Sequence, residues 1–424
     1  MTQPSTAVQA SGRLRAAFLA PDVAGTVRWL PDAVLTWQGG RIVALEPAAR
    51  AETLPHENLL VLPGFVDLHC HWPQSHVRGA FSGQLLPWLR DSIWPAEAAF
   101  ADDAVARERA HTFFVEAIAA GTCAGLLFGP PFFSASRTCA AVAPRGFFEG
   151  PALMEVNAPA ELACPSEQIL HDIEGLPAEA RRTVVVSPRF APCMSQAGLA
   201  AAGQFAARLG LAVQSHLSEN QDEVAWVRAL FPSAQDYTDV YDRAGLLSPR
   251  TVMAHGIHLS ERELARLAHS GTVLAHCPTS NEALGSGRMD LARVRAHGVR
   301  WVLATDVGAG PLLSQLDVMR ACLEVHARAP VAPVTATETL CRATAIPGAF
   351  LADLQPELAG LGTLGVGAPA HLVLFQQPLP ALDAESALRG LLAQPRAALE
   401  TLPQSVYLWG ALQHSPARHT TPTP

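Results

Sequence analysis

Two histidines separated by one residue, His69 and His71, close the apolar run Phe65–His71. Side chains two apart on an extended strand share a face, so both imidazoles project together. An isolated His-x-His is more often structural than functional. Here, however, His216, His255, His276 and Asp306 each close a further short apolar or β-branched run. Neutral imidazoles with one carboxylate suit a divalent ion of borderline softness, zinc or iron. Glu219 follows His216 by three residues, on the loop beyond its run, where a proton carrier beside a metal is needed. His69, His71, His216 and Asp306 with a bound water would form a mononuclear hydrolytic centre, one Zn2+ (or Fe2+) per subunit. Such a centre lowers the pKa of water from about 15.7 toward about 7.

These residues must be brought together by the elements that end in them. Eight strand candidates recur through the middle of the chain: Phe65–His71, Thr122–Phe128, Gly146–Glu149, Thr183–Phe190, Leu211–His216, Thr251–His255, Thr272–His276 and Trp301–Asp306. Helical patterns separate them, with clear punctuation. Ser260 and Glu263 form a capping box, and Gly210, Gly271 and Gly298 stand where helices should stop. Alternation alone fits either a doubly wound sheet or a (β/α)8 barrel. The polar residues at the ends of the runs favour the barrel, whose active sites gather at the C-terminal ends of its strands. Both chain ends have a different texture. Short strands are expected at Arg13–Leu19, Ala33–Trp37, Arg41–Leu45, Leu59–Leu62, Ala370–Phe375 and Val406–Leu412, with a hairpin at Gly39-Gly40. The expected organisation is a tail over 1–11, a β-sandwich built from 12–62 and 359–413, a TIM barrel over 63–358 and a second tail over 414–424.

Composition narrows the chemistry. With 424 residues, 49% hydrophobic and 16% charged, the chain can bury a large core, which excludes disorder and disulfide-stapled miniature scaffolds. A net charge of −8 offers no basic footprint for nucleic acid or anionic lipid. All 30 basic residues are arginine. The absence of lysine excludes Schiff-base and PLP chemistry and P-loop phosphate binding, each of which needs an amine. The eight cysteines form no C-x-x-C pair and suit buried, reduced thiols. No signal-peptide pattern and no run of about 18 apolar residues occurs, so a cytoplasmic protein without a membrane segment is expected.

The motif words carry a resemblance. Pro63-Gly64-Phe65-Val66-Asp67 leading into His69-x-His71, with His216, His255 and Thr305-Asp306 downstream, resembles the amidohydrolase superfamily. Within it the chain is similar to the guanine deaminases. The shared words are His71-Trp72-Pro73-Gln74, Gln84-Leu85-Leu86-Pro87-Trp88-Leu89, Ser187-Pro188-Arg189-Phe190, Ser215-His216-Leu217-Ser218-Glu219-Asn220, Met253-Ala254-His255-Gly256 and His276-Cys277-Pro278-Thr279-Ser280-Asn281, in order between about 60 and 330. The resemblance implies hydrolysis of guanine to xanthine and ammonia by a homodimer, with Glu219 as proton shuttle and His255 and Asp306 acting on the attacking water. It implies that Gln74, Arg189 and His216 contact the purine. Arg189, a rigid fork donor, suits the ring oxygen, and Gln74 can both donate and accept. Trp88 and Phe190 could equally wall the ring faces or serve as ordinary core, and the less favoured reading of Arg189 is a structural ion pair within the barrel.

Some positions depart from the family pattern: His371 in Ala370-His371-Leu372, Glu282 near the expected site mouth, and Ala343-Thr344-Ala345-Ile346-Pro347-Gly348-Ala349. Glu282 could shift substrate preference, and His276 is expected to be structural or supporting rather than a ligand. Relatives acting on 8-oxoguanine, a pterin, cytosine or a triazine share the metal machinery. A metal-free scaffold is disfavoured by the full set of polar residues. A cytidine-deaminase-type site fails because Pro192-Cys193 lacks its second cysteine. With no lysine to carboxylate, the two-metal bridge of some superfamily members cannot form, which leaves an active site with one ion.

Overall fold

The computed structural model describes residues 11–81, 84–327, 333–376 and 381–415. The expected tails lie almost wholly outside these residues. The first four strands, β1 (Gly12–Pro21), β2 (Val27–Gln38), β3 (Arg41–Pro47) and β4 (His56–Pro63), are followed by eight that form the central ring. These are β5 (Phe65–His71), β6 (Thr122–Gly129), β7 (Phe147–Leu153), β8 (Val185–Pro188), β9 (Ala212–Leu217), β10 (Thr251–His255), β11 (Val273–His276) and β12 (Arg300–Leu303). Then come β13 (Leu372–Gln376), β14 (Ser405–Leu408) and β15 (Ala411–His414).

The sheet from β5 to β12 is parallel and pairs each strand with its neighbour in sequence, with helices between them. Consecutive order is what a barrel requires, and a doubly wound sheet would reverse it at a switch point. Small and branched side chains, among them Val66, Ala124, Val185, Val252, Ala254 and Val302, share one buried cluster that Phe350 and Leu351 join. The larger cluster packs the other strand faces against the helices. Helix ends follow the punctuation of the sequence: Ser260 and Glu263 make the capping box, and Gly210, Gly271 and Gly298 take left-handed backbone.

The chain ends build one β domain, in the strand order β15-β14-β13-β4-β1-β2-β3. Gly39-Gly40 turns the β2–β3 hairpin with positive φ at both residues. The stretch Val406–Leu412 is two antiparallel strands, because Trp409 and Gly410 turn the chain with φ of 52° and 73°. The sheet rolls over so that Trp37 of β2 meets Tyr407 of β14 edge-on at 5.9 Å and donates its indole N–H to the Gly410 carbonyl. Phe18, Leu35, Ile42, Val61 and Leu372 fill the space enclosed, as in a sandwich. Its other face, with Leu19, Leu62 and Phe375, joins the barrel's outer core.

Closure of the ring occurs just past β12. The Asp306 N–H donates to the His69 carbonyl at 2.9 Å, and the His71 N–H donates to the Val307 carbonyl at 2.6 Å. Asp67, beside them on β5, accepts from the N–H groups of His69 and Thr305, each at 3.2 Å, and from the Thr305 hydroxyl. Burial raises its pKa to about 6, with these donors working against the rise. Asp67→Ala would strand buried donors on both sides of the seam. It should lower folding stability by about 3 kcal/mol, read as a lower chemical-denaturation midpoint, whereas Asp67→Asn, which keeps an acceptor, should lose less.

Candidate active site

Five groups converge where β5, β9 and β10 meet the segment after β12. Nε2 of His69 lies 3.1 Å and Nε2 of His71 3.5 Å from Oδ1 of Asp306. Nε2 of His71 lies 3.1 Å from Nε2 of His216, and Nε2 of His255 lies 3.8 Å from Oδ2 of Asp306. Three expected strand ends at the site shift slightly, β8 stopping at Pro188 so that Arg189 and Phe190 follow it. β12 stops at Leu303, leaving Asp306 in the following loop, and β9 runs one residue past His216. In that loop Asp306 takes a φ of 51°, in the left-handed region. His255 (φ 70°) and Ser218 (φ 48°) adopt the same left-handed backbone. Such conformations cost roughly 1–3 kcal/mol each and persist where surrounding bonds impose them. The Ser218 carbonyl, for example, accepts from the N–H groups of Ile257 and His258.

The hydrogen bonds behind the imidazoles set their tautomers. A carbonyl can only accept, so His216 donates through Nδ1 to the Arg189 carbonyl at 2.5 Å. His255 Nδ1 donates to Oδ1 of Asn281 at 2.9 Å. Both Nε2 atoms are thereby left with lone pairs directed into the site. Burial pushes His71 to about 3 and His216 well below the usual imidazole range, so both are neutral. Burial alone would raise Asp306, but the surrounding imidazoles hold it well below the carboxylate range. Ser280 donates to its Oδ2 at 2.6 Å.

This donor set fits a divalent metal ion. Both ring nitrogens of His69 and Nε2 of His255 are buried without a hydrogen bond. Donor atoms of His69, His216, His255 and Asp306 all lie within 4.8 Å of one another, with His71 adjoining. The lone pairs that His216 and His255 direct into the site beside an ionised carboxylate are costly unless a cation uses them.

Glu219 stands opposite. Its Oε2 is 3.4 Å from Nε2 of His255, and its Oε1 accepts from the Ser286 hydroxyl at 3.1 Å. Burial, then the charge of Asp306, raises its pKa to about 8. The helix Gln221–Leu230 holds it there. Asn220 caps that helix in a capping box with Glu223, whose Oε2 accepts from the Glu219 N–H at 2.8 Å. The Tyr237 hydroxyl anchors the other oxygen of Glu223 at 2.8 Å.

A cavity opens beside these groups and is lined by His71, Gln74, Trp88, Arg189, Phe190, His216, Glu219, His255 and Asp306, among others. All the residues singled out in the sequence for catalysis or substrate binding therefore face one space. His69 lies behind it. Trp88 and Phe190 each line the cavity and also pack in the same apolar cluster as Leu85 and Phe128.

Glu97 was not legible. It is wholly buried, accepts from Gln74 Nε2 at 2.7 Å and pairs with Arg189 NH1 at 2.6 Å. Arg189 is thus both ion-paired and cavity-lining. The one available signal was an acid inside the apolar stretch Ile93–Phe100 together with a buried arginine that needs a counter-charge. Glu223, Ser286 and Phe128, which stacks on His71 at 4.8 Å, were also missed. Glu282 is exposed and does not line the cavity; its charge is felt by Arg396. His371 is buried against Trp409, remote from the cluster, and His276 faces His326.

Comparison with known proteins places the chain in a family. The family model described as "Amidohydrolase family" matches residues 60–403. The guanine deaminase of Escherichia coli (strain K12) is 33% identical over 323 residues, 72% of this chain and 73% of that protein. The probable guanine deaminase of Deinococcus radiodurans is 40% identical over 265 residues, 61% of this chain and 60% of that protein. The solved structure of the Escherichia coli guanine deaminase superposes with a TM-score of 0.85 at 27% identity, covering 95% of this chain and 99% of that one. The chain belongs to the amidohydrolase family.

Proposed function

We propose that this protein is a guanine aminohydrolase, releasing ammonia from guanine to leave xanthine. The observation that carries the reading is the shared anchoring of Gln74 and Arg189 on Glu97, across one cavity from Glu219. Guanine presents a ring oxygen that accepts and a polar pyrimidine edge that both donates and accepts. The charged fork of Arg189 suits the oxygen, and Gln74 suits the edge. Because Glu97 takes one N–H from each, it restricts the rotamers of both. Trp88 and Phe190 supply apolar walls for a flat ring.

His69, His71, His216 and Asp306 would hold one divalent ion, zinc or, as the alternative, iron. When bound, such an ion lowers the pKa of water toward about 7, so that a hydroxide equivalent is available at neutral pH. Glu219 takes the proton released as oxygen adds to the ring carbon bearing the amine. It then delivers that proton to the adjoining ring nitrogen and afterwards assists ammonia to leave. A carboxyl with a pKa raised to about 8 can accept and surrender a proton near neutrality, and the charge of a bound cation moderates that rise. Asp306 accepts a hydrogen bond from the attacking water or deprotonates it, and His255, fixed by Asn281, orients it. Burial of His69, His71, Glu219, His255 and Asp306, with His216 partly exposed, limits competing solvent. A place in purine breakdown follows from the reaction. A cytoplasmic location suits eight unpaired thiols, seven of them buried. The homodimer rests on the family resemblance.

Ammonia release from guanine, 8-oxoguanine, a pterin, cytosine and aminotriazines, with metal analysis of the same sample, tests the reading. Guanine should give the highest kcat/KM, and a higher value for any other ring would overturn the substrate while leaving the metal centre standing. Glu219→Gln should abolish turnover, by about 10²-fold or more, with the metal content of the parent protein. Glu97→Gln keeps an acceptor but removes the counter-charge. It should raise KM for guanine by about tenfold or more with a smaller change in kcat, since what it loosens is binding of the ring.

A further inference from the structure

Side-chain alternation along β11 turns His276 away from the active site. Ala275 and Cys277 belong to the cluster inside the barrel, whereas Leu274 belongs to the one beneath the outer helices. His276 shares the side of Leu274. There its Nε2 lies 3.1 Å from Nε2 of His326, the last residue of the helix Gln315–His326. Cys322 is one turn earlier on that helix, and a spacing of four residues sets both side chains on one face. All three residues are buried, and one donor atom from each lies within 4.8 Å of the others.

We propose that His276, Cys322 and His326 form a second metal site, separate from the proposed active centre, for a thiophilic cation of the zinc class. A thiolate with two imidazoles is the donor chemistry that such ions select over calcium or magnesium. The imidazole nitrogens are already spaced for it. Two nitrogens bound to one tetrahedral zinc at roughly 2.0–2.1 Å stand about 3.3 Å apart, and the same 3.1 Å separation recurs between His71 and His216 in the proposed active centre. Without a cation, two neutral rings meeting through Nε2 can share one proton, and Nδ1 of His276 has no partner. Burial drives both rings to the neutral, ligating form, His326 to about 4. For Cys322, burial and then the charge of Glu338 raise the thiol to about 12, with Arg295 and Arg342 working the other way. Glu338 moderates the positive charge there by bonding Arg295 at 2.5 Å.

The site would brace a supporting element. Cys277, next to His276, stands just before the helix Pro278–Ala283, which carries Ser280 against Asp306 and Asn281 against His255. A bound ion would tie the root of that helix to the outer helix Gln315–His326.

The full chain, stripped by chelation and reloaded with Co2+, provides the test. A sulfur-to-cobalt charge-transfer band reports on this site, because no cysteine lines the active-site cavity. The parent protein should bind about two ions per chain and show the band. Cys322→Ser and His326→Gln should each bind about one ion and lose the band, with an unchanged circular dichroism spectrum. A parent protein that binds about one ion without the band overturns the proposal, as does a band that survives both substitutions. Neither readout depends on the substrate, so failure here is distinguishable from failure of the guanine reading. If one variant does not fold, the parent stoichiometry and the other variant decide.

Discussion

The seam between β5 and the segment after β12 is the constraint on which the rest of the site depends. A parallel barrel has to join its first strand to its last, here from residues some 240 positions apart. In this chain the joining bonds are made by the backbone of the residues whose side chains converge. His69 accepts from Asp306 and His71 donates to Val307. Ring closure and assembly of the His/Asp cluster are thus one event. Asp67 reinforces it from within β5 by bonding the backbone and hydroxyl of Thr305, the residue before Asp306. Left-handed backbone at Asp306, His255 and Ser218 is tolerated because closed strands and carbonyl acceptors surround it.

Charge is handled economically around this seam. Neutral imidazoles at His71 and His216 flank the ionised Asp306, and each ring with an assigned tautomer is held by an acceptor that directs its lone pair inward. On the opposite wall, the guanidinium of Arg189 is matched by Glu97, which also holds Gln74. An ion pair with both partners this deeply buried is poor at adding stability but good at specifying geometry. That suits a wall which, as proposed, must present a fork and an amide to a flat heterocycle. The absence of lysine fits the same pattern, because the cationic group in the cavity is the planar one that pairs in a fixed direction.

How far the fold could be read from the chain depended on the range of the interactions involved. All eight barrel strands were legible, since apolar runs and glycine or capping-box stops are local signals. Their edges moved by a few residues where tertiary bonds extended or cut them. β7 continues to Leu153 because it pairs with β8 through Ala152 and Leu153. β12 ends at Leu303, ahead of the left-handed Asp306. Val406–Leu412 looked like a single stretch, and its division into two strands rests on Trp409 taking positive φ, which residue type does not announce.

Residue types and spacing by themselves determined the chemistry on offer: histidines and a carboxylate at strand ends, a carboxyl one loop beyond, no amine, and an apolar budget for a barrel. They did so because strand periodicity and metal-donor preference are properties of short segments and single side chains. The tertiary structure decided what those groups face. It placed Glu97 under Gln74 and Arg189, turned His276 outward to Cys322 and His326, and left Glu282 outside the cavity. Each of these depends on contacts between segments far apart in the chain, and burial and pairing across such distances exist only once the ring has closed.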